Sequence, residues 1–198
     1  MKVLHRPDLF AWSVFDEDRN LDFHSVAWVR DGRITLIDPL PLTAHDREHL
    51  NSLGAVERIL VSNSDHLRAT PELAAAFGAE VHGPSAEQGR LAVSRWLAAG
   101  DQPVPGLSVV SFDGSKTPGE LAFVLEESTL ITGDLIRCHL GGSLQLLPTP
   151  KLSDPVAAQR SVAAFVEGHP AIDAVIPCDG WPIFAGAQAA LRSMVSAF

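Results

Sequence analysis

The first third of the chain alternates hydrophobic and polar residues in the manner of β-strands. Val, Ile, Phe and Trp are concentrated in residues 11–15, 23–30 and 33–38. Asp31-Gly32 separates the last two runs, and an Asp-Gly pair between apolar runs strongly favours a hairpin. The pattern therefore predicts three strands, the last two joined by a tight turn.

Helices and strands alternate in the next part of the chain. Ser or Thr at the start and Gly at the end delimit the helical segments. One start has Pro at the first helical position, and another has the capping-box pair Ser85 and Gln88. The predicted helices are 43–53, 70–77 and 85–99, and the predicted strands are 56–62 and 80–82.

The second half repeats this arrangement without obvious sequence identity to the first. The predicted strands are 107–112, 121–126, 129–131 and 171–176, the predicted helices are 153–167 and the Ala-rich end after residue 184, and 141–151 is predicted as a loop. Mixed strands with helices outside predict a layered α/β fold. We find no domain boundary, so one domain over residues 1–198 is expected.

Composition excludes several classes of function. The 198 residues include 15 Lys and Arg against 24 Asp and Glu, a formal charge of -9, which disfavours nucleic acid and anionic membranes as partners. An uncharged apolar run of about 18 residues, as a membrane span requires, is absent, and the N-terminus lacks signal-peptide character. The two cysteines, Cys138 and Cys178, are too few for a disulfide framework. A cytoplasmic protein in a reducing compartment is expected.

Polar residues of the kinds that bind ligands or take part in catalysis follow the predicted strands. These clusters are Asp65-His66, Ser115-Lys116, Gly133-Asp134 and Cys178-Asp179. Each alone has an ordinary explanation, because Asp near Gly is most often a turn residue. Loops at one edge of a rigid scaffold are, however, where ligand-binding groups usually lie. Together the clusters predict one site at a sheet edge.

The order and spacing of these segments resemble the metallo-β-lactamase superfamily over nearly the whole chain. The matching segments are ITLIDPLPL with Asp38, VSNSDH in place of His-x-His-x-Asp-His, DGSKTPGE, TLITGDLI and IPCDG. The resemblance implies a four-layer αββα sandwich. Two mixed β-sheets would pack face to face, with helices outside and the site at one edge.

The resemblance also implies that the first metal site of the family is lost. The histidines of that site fall on Val61, Asn63 and Lys116, and the bridging aspartate falls on Asp134. Valine has no lone pair to donate, and a protonated lysine has none either. We therefore expect no metal ion at this position.

The second metal site of the family would consist of Asp65, His66, Asp134 and Asp179, the last in place of a histidine. One imidazole with carboxylates suits a single divalent cation such as manganese, iron or magnesium, and zinc also remains open. Lys116 would then neutralise the surplus negative charge in place of the missing metal. A metal-free alternative is equally coherent, with Lys116 and a charged His66 pairing with the carboxylates as an ion network.

Two functions follow from the resemblance. The first is a metal-dependent hydrolase of an ester, thioester, amide or phosphoester, with Asp65 handling the proton of the attacking water and Lys116 stabilising the oxyanion. The second is a non-catalytic member that binds a small molecule or a protein. No phosphate-binding Gly-rich loop and no Gly-x-Ser-x-Gly motif points elsewhere.

A few further residues are open to two interpretations. His139 is either a pocket residue that contacts substrate or carries a proton, or an ordinary loop residue. Cys138 and Cys178 neighbour the predicted site, so each is either a thiolate ligand or, as is commoner for free cysteine, a buried apolar residue. Trp181 follows Asp179 closely and is either a ligand contact or part of the core.

Overall fold

The computed structural model describes all 198 residues. Its strands are β1 (Lys2–Val3), β2 (Leu9–Asp16), β3 (Leu21–Arg30), β4 (Arg33–Ile37), β5 (Ala55–Leu60), β6 (Glu80–Pro84), β7 (Arg95–Leu97), β8 (Leu107–Phe112), β9 (Glu120–Leu125), β10 (Thr129–Thr132), β11 (Ile136–Leu140), β12 (Ser143–Leu146) and β13 (Ala174–Pro177). Its helices are α1 (Ala44–Leu53), α2 (Thr70–Phe77), α3 (Pro155–Gly168) and α4 (Ala187–Val195). None of the helices combines the length and the apolar character needed to cross a membrane.

The first sheet contains the strands β1 to β7 in sequence order. Strands β1 to β4 pair antiparallel, and β4 to β7 pair parallel. The predicted hairpin between β3 and β4 is confirmed. Asp31 has φ 51 and Gly32 has φ 73, which are the positive values that a two-residue hairpin turn with a right-handed twist requires.

The second sheet has the order β13-β10-β9-β8, and β11 with β12 forms a separate hairpin. Strand β13 runs parallel to β10, with Thr132 opposite Pro177 at the paired ends. Asp134 and Asp179 therefore each lie two residues beyond the ends of neighbouring parallel strands. This register explains how residues 45 positions apart reach the same edge of the sheet.

Apolar side chains form three layers of core. Trp28 and Phe123 are fully buried between the two sheets. Leu73 of α2 packs with the outer face of the seven-stranded sheet, and Phe165 of α3 packs with the outer face of the four-stranded sheet. The layers thus run helix, sheet, sheet, helix, so the predicted αββα sandwich is confirmed.

The predicted helix over 85–99 is wrong. Only a 3₁₀ turn, Ser85–Glu87, forms there, and the segment then continues into the edge strand β7. Gly89 has φ 87, a left-handed conformation that interrupts a helix. The side chain of Glu87 is turned inward instead, and it accepts a hydrogen bond from the backbone N–H of Ser64. Tertiary contacts have overridden a local capping signal.

The predicted loop over 141–151 also contains regular structure. Residues Ser143–Leu146 form β12, which pairs antiparallel with β11. Leu144 is buried in the core beneath α4. The alternation of Leu144 and Leu146 with polar residues therefore indicates a short strand.

Candidate functional site

The predicted site residues lie in the loops that follow β5, β8, β10 and β13. Side-chain contacts join four of them into one chain, in the order Asp65, Lys116, Asp134 and His66. These contacts bring together positions up to 69 residues apart in sequence, because the four strands end at the same edge of the sandwich.

Lys116 lies between two carboxylates. Its Nζ is 2.7 Å from Oδ2 of Asp65 and 3.1 Å from Oδ2 of Asp134. Burial alone would lower the pKa of Lys116, but the two carboxylates outweigh burial and raise it. Burial would likewise raise the pKa of Asp134, and His66 and Lys116 instead hold it far below the usual range. Both groups are therefore charged at neutral pH.

His66 is held on both sides of its ring. Its Nδ1 is 2.8 Å from Oγ of Ser62 and 3.0 Å from Oδ2 of Asp38. Its Nε2 lies 3.4 Å from Oδ2 of Asp134, which is longer than a normal N–H···O hydrogen bond. Metal-binding histidines commonly donate the N–H of one ring nitrogen to a carboxylate, as the contact of His66 with Asp38 would allow.

Asp38 orients His66 from beneath. Its side chain is fully buried and accepts hydrogen bonds from the backbone N–H and the hydroxyl of Ser62 and from the thiol of Cys178, at 2.7, 2.6 and 3.0 Å. Burial opposes the carboxylate, but His66 outweighs burial and lowers the pKa of Asp38. Donor atoms of Asp38, His66 and Cys178 lie within 4.8 Å of one another.

The charge of His66 follows from these neighbours. Burial by itself would lower the pKa of the imidazole, yet the pKa is raised well above its usual value. Burial also raises the pKa of the Cys178 thiol to about 12, so the sulfur stays protonated at neutral pH. The carboxylates of Asp38 and Asp134 therefore stabilise the imidazolium.

Asp179 lies in a separate group of contacts. Its Oδ2 accepts a hydrogen bond from Nη2 of Arg137 at 2.7 Å and is 3.1 Å from Nε2 of His139. Nε of Arg137 also donates to Nε2 of His139, at 3.0 Å. The other oxygen of Asp179, Oδ1, is buried and has no hydrogen-bond partner. The contacts to Arg137 and His139 were not predicted.

Two buried polar residues, Asn63 and Glu120, connect the centre of the site through contacts that the sequence did not predict. Asn63 Nδ2 donates to Oδ2 of Asp134 at 3.0 Å and to Oε2 of Glu120 at 3.1 Å. Glu120 is only 1% exposed, and burial raises its pKa to about 7. The available signal was a charged residue at the first position of a strand, β9, whose every residue is buried.

A cleft of about 1050 Å³ opens beside the loop that follows Asp179. Trp12, His24, Gly180, Trp181 and Phe184 are among its lining residues. The indole of Trp181 is 61% exposed, so it is available to a ligand and does not belong to the core.

The residues at the first metal position do not fit a metal ion. Val61 has no donor atom, and the amide nitrogen of Asn63 donates its hydrogens. The ammonium of Lys116 already contacts Asp134 there.

Only two of the residues at the second position are placed to share one cation. Two ligands with bonds of ~2.1 Å to a tetrahedral ion are ~3.4 Å apart, and Nε2 of His66 lies 3.4 Å from Oδ2 of Asp134. Asp65 and Asp179 do not complete this pair, because the donor atoms that lie within 4.8 Å of one another belong instead to Asp38, His66 and Cys178. The partnerless oxygen of Asp179 is the remaining unsatisfied carboxylate oxygen of the site. Arg137 would have to share Asp179 with the ion.

Known proteins similar to this chain are metallo-β-lactamases. A family profile described as "Metallo-beta-lactamase superfamily" matches residues 1–198. The DIM-1 metallo-β-lactamase structure is 14% identical with a TM-score of 0.76, covering 99% of this chain and 95% of that chain. A metallo-β-lactamase from Pontibacter korlensis is 15% identical with a TM-score of 0.76, covering 100% and 98%. The BLEG-1 B3 metallo-β-lactamase is 15% identical with a TM-score of 0.70, covering 90% and 95%.

The chain matches no curated protein sequence. At these identities the structural similarity shows the fold alone. The chemistry of the site depends on the residues of this chain.

Proposed function

Because the chain belongs to the metallo-β-lactamase superfamily, we propose that it is a metal-dependent hydrolase with a single divalent cation. Its ligands would be His66 and Asp134, completed by Asp179, which has to leave its present contact with Arg137 to reach them. The substrate contains an ester, thioester, amide or phosphoester bond. Zinc, manganese and iron are the candidate ions for this mixed nitrogen and oxygen donor set.

The arrangement of His66 and Asp134 carries this proposal. The 3.4 Å separation of Nε2 and Oδ2 suits two ligands of one ion better than a hydrogen bond. Asp38 and Ser62 hold the opposite ring nitrogen, so the imidazole cannot turn away. Outer contacts of this kind commonly fix the tautomer of a metal-binding histidine.

Two partly exposed residues are available for the chemical step. A bound cation would polarise the scissile carbonyl or phosphoryl group and lower the pKa of a water molecule. The carboxylate of Asp65 is 53% exposed and can accept the proton of that water. The Lys116 ammonium, 29% exposed, lies 2.7 Å from Asp65 and can donate hydrogen bonds to the developing oxyanion.

One observation favours the second candidate, a non-catalytic protein that binds a small molecule. Each proposed carboxylate ligand already has a cationic partner, since Lys116 contacts Asp65 and Asp134 while Arg137 contacts Asp179. Together with the charged imidazole of His66, these two cations balance the three carboxylates without a metal ion. The ligand would then occupy the cleft beside Trp181.

Elemental analysis of protein purified without chelator or added metal separates the two candidates. We expect about one equivalent of zinc, manganese or iron, and we expect the Asp179→Ala variant to lose it. The loaded protein should hydrolyse generic esters, thioesters or phosphodiesters, and Asp134→Ala should not. Absence of metal, with no thermal shift on adding any of the three ions, would reject the hydrolase in favour of the binding protein.

A further inference from the structure

We propose that Glu120 is a positioning residue that joins three of the four loops of the site, those that follow β5, β8 and β10. Its carboxylate accepts three hydrogen bonds, from the backbone N–H of Leu135 at 2.9 Å and from the side chains of Ser115 and Asn63 at 3.1 Å each. Ser115 precedes Lys116 and Leu135 follows Asp134. One buried group thus connects the loops that carry the lysine and the shared aspartate.

Asn63 extends this connection to the third loop. Its Nδ2 donates to both Glu120 and Asp134, and its Oδ1 accepts the backbone N–H of Asp65 at 3.0 Å. The amide is fully buried, so no water competes for these bonds. Glu120 therefore fixes Asp65 and Asp134 through a single intermediate side chain.

The backbone leaves room for this arrangement at Gly133. A Cβ atom there would lie 2.6 Å from Oε1 of Glu120, 2.8 Å from Oγ of Ser62 and 3.1 Å from Nδ2 of Asn63. The first two distances are impossible for a real side chain. Glycine before Asp134 is thus what lets the glutamate reach the backbone of Leu135.

A carboxylate suits this position better than an amide of the same size. Three donors converge on the two oxygens of Glu120, and a glutamine has only one oxygen. Its NH₂ group would face an N–H of either Leu135 or Asn63. Leaving a buried donor unpaired is unfavourable, so Glu120→Gln is not a conservative change here.

Hydrogen exchange in the folded protein tests this inference at each loop separately. In Glu120→Gln we expect backbone exchange to rise about tenfold in 63–67, 114–118 and 133–136 together, since an increase of this size corresponds to one lost buried hydrogen bond. Peptides from α3 should be unchanged. A rise confined to 133–136, which holds the direct backbone contact at Leu135, would overturn the inference.

Glu87→Gln is the matched control. Glu87 is equally buried, but its one hydrogen bond is to the backbone of Ser64. A glutamine keeps one oxygen for that bond, so any rise in exchange should be small and confined to 63–67 in this variant. An equally broad rise would mean that any buried glutamate has this effect, and the inference would fail. If Glu120→Gln does not fold, Ser115→Ala removes one donor only, and faster exchange in its own loop alone would likewise overturn the inference.

A positioning role also predicts weaker metal binding, and this part rests on the proposed function. We expect Glu120→Gln to weaken the affinity for Zn²⁺ or Mn²⁺ by at least about tenfold, as loss of supporting contacts commonly does, and Glu87→Gln to leave it unchanged. Equal affinities in wild type and Glu120→Gln would overturn the inference. If wild type binds neither ion, the proposed function fails while the exchange experiment still decides the role of Glu120.

Discussion

The two sides of Asp134 differ in how they balance its negative charge. On one side Lys116 and Asn63 donate to Oδ2 at 3.1 and 3.0 Å, which are normal hydrogen-bond lengths. On the other side His66 stays 3.4 Å away, and the nearby loop carries the partnerless oxygen of Asp179. On the first side, which we call the closed side, Asp134 is satisfied by hydrogen bonds from Lys116 and Asn63. The second side still presents atoms that can act as metal ligands.

Under the proposed function, this difference explains how one metal site of the family would be lost while its neighbour is kept. A lysine ammonium supplies a fixed positive charge to the shared aspartate, so that side needs no ion. His66 and Asp38 preserve the arrangement of a metal-binding histidine on the other side. Variants should therefore affect the two sides differently.

The largest effect is expected for Asp134→Asn, which removes the charge that both sides share. Breaking a buried ion pair by removing one partner typically costs about 3–5 kcal/mol. Since Lys116 is partly exposed, we expect the lower end, about 3 kcal/mol of unfolding free energy in urea, together with loss of metal binding. Asp113→Asn, an exposed carboxylate, is the control. A loss below about 1 kcal/mol would mean that Asp134 does not organise either side.

The next largest effect is a pH dependence of the unfolding free energy that arises from Glu120, on the closed side of Asp134. Burial raises its pKa from the usual 4.5 to about 7, so the folded state binds the proton more tightly than the unfolded state. Stability from this group is therefore lost as pH rises from about 4.5 to 7, and the loss is at most about 3 kcal/mol. The unfolding free energy of wild type minus that of Glu120→Gln should therefore fall between pH 5 and 8. A difference that does not change with pH would contradict this assignment.

A smaller effect is expected for Lys116→Met. Because the ammonium is 29% exposed, its loss should cost only about 1 kcal/mol. The closed side would then have an uncompensated carboxylate, so Mn²⁺ or Zn²⁺ should raise the melting temperature of the variant more than that of wild type. Lys151→Met, at an exposed position, should respond like wild type. The same metal response in all three proteins would show that Lys116 does not replace a cation.

The smallest effect is expected for His139→Ala, near the second side. His139 contacts Asp179, but Arg137 keeps its own 2.7 Å hydrogen bond to that carboxylate. Stability should change by no more than about 0.5 kcal/mol, and metal content should be unchanged. A large drop in turnover with unchanged metal content would instead identify His139 as a proton carrier.

Much of the fold could be predicted because its signals are local. The Asp31-Gly32 turn needs only two residues that tolerate positive φ, and Asp154 caps α3 through its own neighbours Val156 and Ala157. The capping-box signal at Ser85 failed for the opposite reason. The side chain of Glu87 is stabilised more by its hydrogen bond with the backbone of the distant Ser64 than by exposure on a helix. That hydrogen bond forms only in the folded chain.

The site could be predicted in part. Strand ends placed Asp65, His66, Lys116 and Asp134 in neighbouring loops, and the contacts among them are present in the structure. Their roles as ligands and catalytic groups stay predictions. The partner of Asp179 could not be predicted, because Arg137 is 42 residues away on a hairpin that was not recognised.

By itself, the sequence determined which donor atoms exist at the family's metal positions. The side chain of Val61 cannot bind a metal in any fold, and the ammonium of Lys116 has no lone pair to offer one. Only the tertiary structure decided which carboxylate each cation meets and which groups lose water. The contact of Asn63 with Glu120 spans 57 residues, and the raised pKa of Glu120 arises from burial between loops. Residue chemistry is local, whereas desolvation and charge pairing depend on how distant strands pack.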